Sequence, residues 1–450
     1  MCADRVQQDQ PPSQAGQERV VSLDEAFQLA FRLQHQGRLH EAEALYRQIL
    51  QVAPEHADAL HFLGILCYQL NQGEEAVELI RRAVTVNPDY TDAHSNLGNV
   101  LKARGDLEGA EAAYRRALEL NPEHANAWNN LGVIRRQQGR LQEAEQACRK
   151  AVALNPALVD THYNLGGVWV QQNRLGDAAG AFREVLARNP KYIEAYKALG
   201  MCLYRLGDLA GAREVYQNWL ALMPGHPVAL HMLATCSGEA PPDRASDAYV
   251  TSLFDAFAED FDAHLARLDY CAPQLIATAL AAAVSAPARD WDVLDAGCGT
   301  GLCGPLLRPY ARRLVGVDLS PGMLERARPR KVYDDLQVAE LTAFLESQGD
   351  AYDVIVSADT LVYFGALDEV LDAAYHALRP GGRLLFTVER TDDATADGFQ
   401  ITRSGRYSHR RAYIERCLSL AGFDAIAIQE VTPRYEHGEP VRGYLVSAHR

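Results

Sequence analysis

A chain of 450 residues with 48% hydrophobic and 23% charged side chains has room for two or three globular domains. Its formal net charge of −15, without a dense basic tract, disfavours nucleic-acid binding. Its longest small-apolar run, Leu275 to Ala283, is too short to cross a bilayer, and nine cysteines without a C-x-x-C pair fit a reducing compartment, so a cytoplasmic protein is expected.

Residues 1–19 are polar and rich in Gln and Pro, with no early apolar stretch, and are expected to be disordered. From there to residue 236 the chain repeats every 34 residues. Proline recurs at Pro54, Pro88, Pro122, Pro156, Pro190 and Pro224, and alanine at Ala42, Ala76, Ala110, Ala144, Ala178 and Ala212. Leu-Gly recurs from Leu63-Gly64 to Leu199-Gly200 at the same interval. Small residues at fixed offsets let paired helices approach closely. Asn87, Asn121, Asn155 and Asn189, each before a proline, are expected to end helices in the left-handed conformation. This pattern resembles the tetratricopeptide repeat, a helix–turn–helix unit, and implies an all-α solenoid of six repeats with a capping helix over Pro224 to Cys236. Such solenoids bind a protein or peptide on the concave face. Asn96, Asn130 and Asn164 hold one repeat position in consecutive units, and asparagine is a poor helix-interior residue. They are the candidate partner-binding residues, as gripping points for an extended peptide backbone or as a solvated polar face.

Ser237-Gly238-Glu239-Ala240-Pro241-Pro242 marks a boundary, giving a linker over 237–247 and a second domain over 248–450. Ala248 to Leu268 carries an apolar stripe at helical spacing, in which Phe257 and Phe261 fit either core packing or a lid. Trp291 to Leu294 then suits a buried strand, and Asp295-Ala296-Gly297-Cys298-Gly299-Thr300-Gly301 turns it into a helix. Glycine lets backbone approach a ligand, and the helix start offers unpaired N–H groups. A second apolar run ends on Asp318, placed to accept from a ribose diol. A nucleoside-containing cofactor is therefore expected at the carboxyl edge of a parallel sheet.

Gly299-Thr300-Gly301-Leu302-Cys303-Gly304 also matches the dinucleotide pattern, which keeps an NAD(P)-dependent oxidoreductase as an alternative. Against it, the strand already breaks at Gly297, and Asp295 would be a poor neighbour for a pyrophosphate. The loop resembles that of class I S-adenosylmethionine-dependent methyltransferases. Asp353 to Asp359 as a fourth strand and its tip, Leu367 to Leu378 as a helix, Arg379-Pro380-Gly381-Gly382 as a turn and Arg383 to Val388 as a fifth strand extend the resemblance. Ala425 to Val431 and Val441 to Ala448 are similar to the antiparallel pair that closes the family's sheet. The resemblance implies a doubly wound, seven-stranded, Rossmann-like α/β domain that binds S-adenosyl-L-methionine. Asp295, Gly297, Gly299, Gly301, Asp318, Leu319, Met323, Glu340, Leu341 and Ala358 would form the cofactor site, with Asp318 on the ribose and Leu319 and Met323 on the adenine face.

The implied activity is methyl transfer to a protein, carrier-bound or small-molecule acceptor, with the repeats recruiting substrate or partner. A catalytically inactive cofactor-binding scaffold is the other alternative. Ser357-Ala358-Asp359-Thr360 lacks the N/D-P-P-Y/F of enzymes that methylate planar nitrogens, and neither a paired-glutamate hairpin nor a Pro-Cys pair follows. Asp359 and Tyr363 beside the fourth strand are candidate catalytic residues. So is His409, the preferred general base because imidazole titrates near neutrality. Ser404 to Ile414 would form a polar wall in which Arg410 could hold an anionic acceptor. No metal site is expected.

Overall fold

A computed structural model describes residues 22–237, 241–282, 289–393, 398–402, 404–436 and 438–450. The N-terminal segment read as disordered, and residues 238–240 of the boundary, lie outside the described residues. The chain divides into two compact units, Met1–Pro190 and Lys191–Arg450.

The described part of the first unit is helical throughout: α1 (Leu23–His35), α2 (Leu39–Val52), α3 (Ala57–Gln69), α4 (Gly73–Val86), α5 (Thr91–Ala103), α6 (Leu107–Leu120), α7 (Ala125–Gln137), α8 (Leu141–Leu154), α9 (Val159–Gln171) and α10 (Leu175–Arg188). Each odd helix packs on the even helix after it, and the recurrent small residues are what that requires. A Cβ on Gly98 of α5 would stand 2.5 Å from Tyr114 of α6, closer than carbon atoms pack.

The asparagines before proline do not end their helices in the left-handed region. Asn87, Asn121 and Asn155 have φ of −127°, −137° and −142°. The following proline ring excludes helical backbone at the preceding residue. Each side chain instead accepts the N–H two residues on, as Asn121 Oδ1 does from Glu123 at 3.0 Å. The left-handed stops lie at the ends of the odd helices, at Gly37, Asn71, Gly105, Gly139 and Asn173.

The second unit begins with three more helices, α11 (Ile193–Leu206), α12 (Leu209–Leu222) and α13 (Pro227–Cys236). These helices, read from the sequence as the end of the array, group with the sheet and not with the first unit. His231 of α13 shows the cause: its Nε2 meets the Gly405 carbonyl at 2.8 Å, and its ring stacks on Tyr249 at 3.8 Å. The stripe from Ala248 to Leu268 forms α14 (Asp247–Phe257) and α15 (Phe261–Ala266), followed by α16 (Ala272–Ala282).

The sheet contains β1 (Trp291–Ala296), β2 (Ala311–Asp318), β3 (Asp335–Val338), β4 (Tyr352–Ser357), β5 (Leu378–Arg390), β6 (Phe399–Ile401), β7 (Tyr407–His409), β8 (Asp424–Glu436) and β9 (Glu439–His449). Short helices α17 (Gly304–Leu307), α18 (Pro321–Ala327) and α19 (Leu341–Glu346), then α20 (Asp368–Ala377) and α21 (Arg411–Ala421), connect them. The pairing order β3-β2-β1-β4-β5-β9-β8 gives the expected seven strands, the first five parallel and β9 antiparallel to both neighbours. β7 pairs with the end of β5 and carries β6 as a short extension.

Strand alternation divides the core. Leu294, Val315 and Ile355 face α19, α20 and α21, whereas Val293, Leu314 and Val354 face α16 and α17. Strands covered on both faces carry consecutive apolar residues, as Val293-Leu294 of β1 and Val354-Ile355-Val356 of β4 do. Their carboxyl ends, the tips of β1, β2 and β4, meet at one edge.

Candidate functional site

At that edge the chain after β1 is bound by its own neighbours. Gly297 N and Cys298 N donate to the Val317 carbonyl at 2.8 and 2.9 Å. Gly297 has φ +78°, and a Cβ there would lie 2.1 Å from Thr360 Oγ1. Gly299 has φ +54° and open space where a Cβ would stand, so a side chain there would project into the cavity that it lines. Asp318, at the tip of β2, accepts Gly299 N at 2.8 Å and Ser320 N at 2.9 Å, which fixes the loop to the second strand. Burial pushes its carboxyl above the ordinary range.

Asp295 is buried beneath the loop. Tyr333 donates to its Oδ2 at 2.6 Å, while Oδ1 has no partner. Burial pushes this carboxyl up to about 7; the Tyr333 hydrogen bond offsets only part of that, and Asp318 adds a smaller repulsion. A carboxylate so placed gains from a nearby cation.

The cavity has a volume of about 780 Å³ and lies entirely in the second unit. Of the expected cofactor residues, Gly297, Gly299, Asp318, Leu319, Met323, Glu340, Leu341 and Ala358 line it. Asp295 and Gly301 stand behind the lining, and Gly301 is closed off by Tyr333. Glu340 already caps α19, accepting Thr342 N at 3.1 Å and Ala343 N at 2.8 Å.

Asp359 and Tyr363 also line the cavity. Asp359 follows β4 with φ +57°, its N–H donating to Thr387 Oγ1 at 2.8 Å. Tyr363 is half-buried, in edge contact with Phe254 at 5.3 Å, and burial pushes its phenol up. His409 is not brought to the cavity. It ends β7 in the core, its Nε2 3.0 Å from the Gly365 carbonyl, and burial pulls its imidazole down to about 4. A ring so enclosed and so weakly basic is not the accessible base that its near-neutral titration suggested. Arg410 precedes α21 and is not on the lining either; Ser404 and Arg406 represent the expected polar wall.

Sequence reasoning missed a buried charge cluster at the end of the cavity. Arg434 donates from Nη1 to Asp359 and from Nη2 to Glu389, and its Nε donates to Glu436 at 2.8 Å. Arg406 donates to Glu389 at 2.6 Å and also to Glu436. Burial works against the Arg434 charge, but the carboxylates outweigh it and raise its pKa. One signal was present: Pro433 within a strand marks the irregular register at Val431/Arg434, which re-aims a side chain.

α14 and α15 close the opposite side. Asp255 accepts from Gly322 N at 3.1 Å, Asp262 accepts from Thr300 Oγ1 at 2.5 Å, and Arg330 also pairs with Asp262. Phe257 and Phe261 line the cavity between these ties.

With this geometry in place, family resemblance becomes specific. A model of the cilia and flagella-associated protein 70 C-terminal domain, of tetratricopeptide type, matches residues 16–225, and a methyltransferase domain model matches residues 294–384. The chain joins a tetratricopeptide-type repeat array to a methyltransferase domain. It is 35% identical over 140 residues to human methyltransferase-like protein 27, covering 30% of this chain and 55% of that one. It is 34% identical over 95 residues to malonyl-(acyl-carrier protein) O-methyltransferase of Yersinia pestis, covering 21% and 35%. The chain therefore spans about half, or less, of the length of these curated relatives. Among solved structures, PilW, a type IV pilus biogenesis factor, aligns over 45% of this chain and 94% of that one, with TM-score 0.43 and 22% identity. The matched methyltransferase segment contains the loop, Asp318, Met323, Asp359 and Tyr363. Arg406, Arg434, Glu436 and the helical wall lie outside it. Among the described residues no group of His, Cys, Asp and Glu suits a metal ion, and no helix is long and apolar enough to cross a membrane.

Proposed function

We propose that this chain binds S-adenosyl-L-methionine in the cavity beside the Asp295–Gly301 loop and transfers its methyl group to an acceptor held against Asp359 and Tyr363. The observation that carries this reading is Asp318, which braces Gly299 and still has lone pairs facing the cavity for a ribose diol. The rest of the site fits the cofactor. Unpartnered Asp295 Oδ1 suits its positive charge, Gly299 leaves the space a side chain would fill, and Leu319, Met323 and Leu341 supply apolar cover for an adenine. When bound, the cofactor supplies a methyl group on a sulfonium, which the acceptor atom takes as the carbon–sulfur bond breaks and sulfur keeps the pair.

The chain's own part is to align these atoms and exclude water. Asp359, held by Thr387 and Arg434, is the residue placed to accept a hydrogen bond from the acceptor. The first unit recruits a protein or carrier-bound substrate, or a separate partner, through the face bearing Asn96, Asn130 and Asn164. The cytoplasm suits the described cysteines, all of which are free thiols. Calorimetric titration of the full chain with S-adenosylmethionine and with NAD tests the reading. Saturable binding of the first alone supports it, and preference for NAD overturns it.

A further inference from the structure

The cavity extends well beyond the cofactor loop. Its far wall is built from Val228 and Met232 of α13, Val250, Leu253 and Phe254 of α14, and Phe261 of α15. About 780 Å³ lies in the upper part of the range for small-molecule pockets, where apolar walls with a few polar groups orient one ligand. Phe254 touches Tyr363, so the apolar wall runs directly into the polar end at Asp359.

That polar end contains two guanidiniums, yet neither offers itself to an anion. Arg434 spends donors from all three of its nitrogens on Asp359, Glu389 and Glu436, and Arg406 is shared between Glu389 and Glu436. A guanidinium that reads a carboxylate presents an open fork. Here three carboxylates face two guanidiniums, leaving excess negative charge in a buried site where a second anion would be repelled. Two further cations reach the lining. Arg244 is paired with Asp247 at 2.5 Å and with Glu340 at 3.5 Å, and Lys197 of α11 is exposed to solvent, away from the buried polar end.

We infer that the chamber walled by α13, α14 and α15 is the acceptor site, and that it takes an apolar group that bears no negative charge and carries one hydroxyl or amine. Asp359 receives the hydrogen bond from that hydroxyl or amine, and the apolar body lies along Met232, Leu253 and Phe254. The inference rests on the methyl-transfer reading for its chemistry, but the chamber's ligand preference is measurable without turnover. It makes α13, which the sequence reads as the cap of a repeat array, a specificity element of the catalytic unit.

The test uses the full chain with saturating S-adenosylhomocysteine and displacement of Nile red by 4-octylphenol or 4-octylbenzoate at neutral pH. The two competitors share ring and chain and differ in charge. The phenol is expected to bind about tenfold more tightly or better than the benzoate. Leu253→Gln and, on a different helix, Met232→Gln are each expected to weaken the phenol by about three- to tenfold while leaving S-adenosylhomocysteine affinity unchanged. Benzoate binding as tightly as phenol, no saturable phenol binding, or indifference to both substitutions overturns the inference. Failure of the methyl-transfer reading is seen separately: a chain that binds the phenol but shows no calorimetric signal with S-adenosylmethionine keeps the chamber and loses the cofactor.

Discussion

Asp318 uses one carboxylate for two purposes, since the oxygens that brace Gly299 and Ser320 also face the cavity. Asp318→Ala therefore removes a ligand contact and loosens the loop at once. A charge-assisted hydrogen bond contributes about 1.5–3 kcal/mol, so S-adenosylmethionine affinity is expected to fall by at least tenfold in calorimetry of the folded variant. Unchanged affinity would remove Asp318 from the site. Asp295 leads to a pH dependence. Its carboxyl, pushed up to about 7 by burial, is mostly protonated at pH 6 and mostly ionised at pH 8. A cationic ligand binds the ionised form better, so affinity is expected to rise about tenfold between these pH values and then level off. Asp295→Asn should bind more weakly at pH 8 and lose the slope; the same slope in that variant would place the titrating group elsewhere. The glycines and Asp318 were legible because backbone approach and a strand-tip acid leave local marks in the sequence. His409 misled because its near-neutral titration belongs to solvent, and two of the partners that enclose it, the Gly365 carbonyl and the end of β5, are remote in sequence.

At the scale of elements, the asparagines of the array are already occupied. Asn96 Nδ2 meets His61 Nε2 at 3.0 Å, Asn99 donates to Asn96 at 3.2 Å, and Asn130 donates to Asn99 at 2.9 Å. Asn164 donates to Asn129 at 3.0 Å. These amides tie α3 to α5, α5 to α7 and α7 to α9, an explanation for polar residues in helix interiors that needs no bound peptide. Replacing Asn96, Asn130 and Asn164 together with alanine loses about 1 kcal/mol per hydrogen bond and regains only several tenths per site from helix propensity. A net loss near 2 kcal/mol is expected in denaturant unfolding of the full chain. An unchanged or higher midpoint would show that the amides are free to hold a peptide. The period itself was plain because every repeat restates it. The direction of the amides was hidden, because the sequence does not say whether one helix position faces solvent or the neighbouring repeat.

For the whole molecule, the informative question is where the chain can be cut. The sequence places the division near the Pro241-Pro242 linker, since the repeat period runs on to Pro224 without a change. The structure groups Lys191–Arg450 together instead, because contacts too dispersed to leave a periodic signal join α13 to the sheet unit. Ala245 N donates to the Tyr363 carbonyl at 2.8 Å, His231 stacks on Tyr249, and Met232 lines the cavity. Cutting at residue 245 would strip one face from Tyr249 and open the apolar chamber to water. A chain of residues 191–450 is therefore expected to fold cooperatively and bind S-adenosylmethionine as the full chain does. Residues 245–450 should unfold at lower temperature and lose affinity for an apolar acceptor probe. The margin is set by the buried surface of one aromatic and one methionine, each contributing about 1.5–3 kcal/mol. Scanning calorimetry and probe titration on the two truncations decide the point. Equal behaviour would make α13 a spacer after all, and would return the acceptor site to the sheet domain alone.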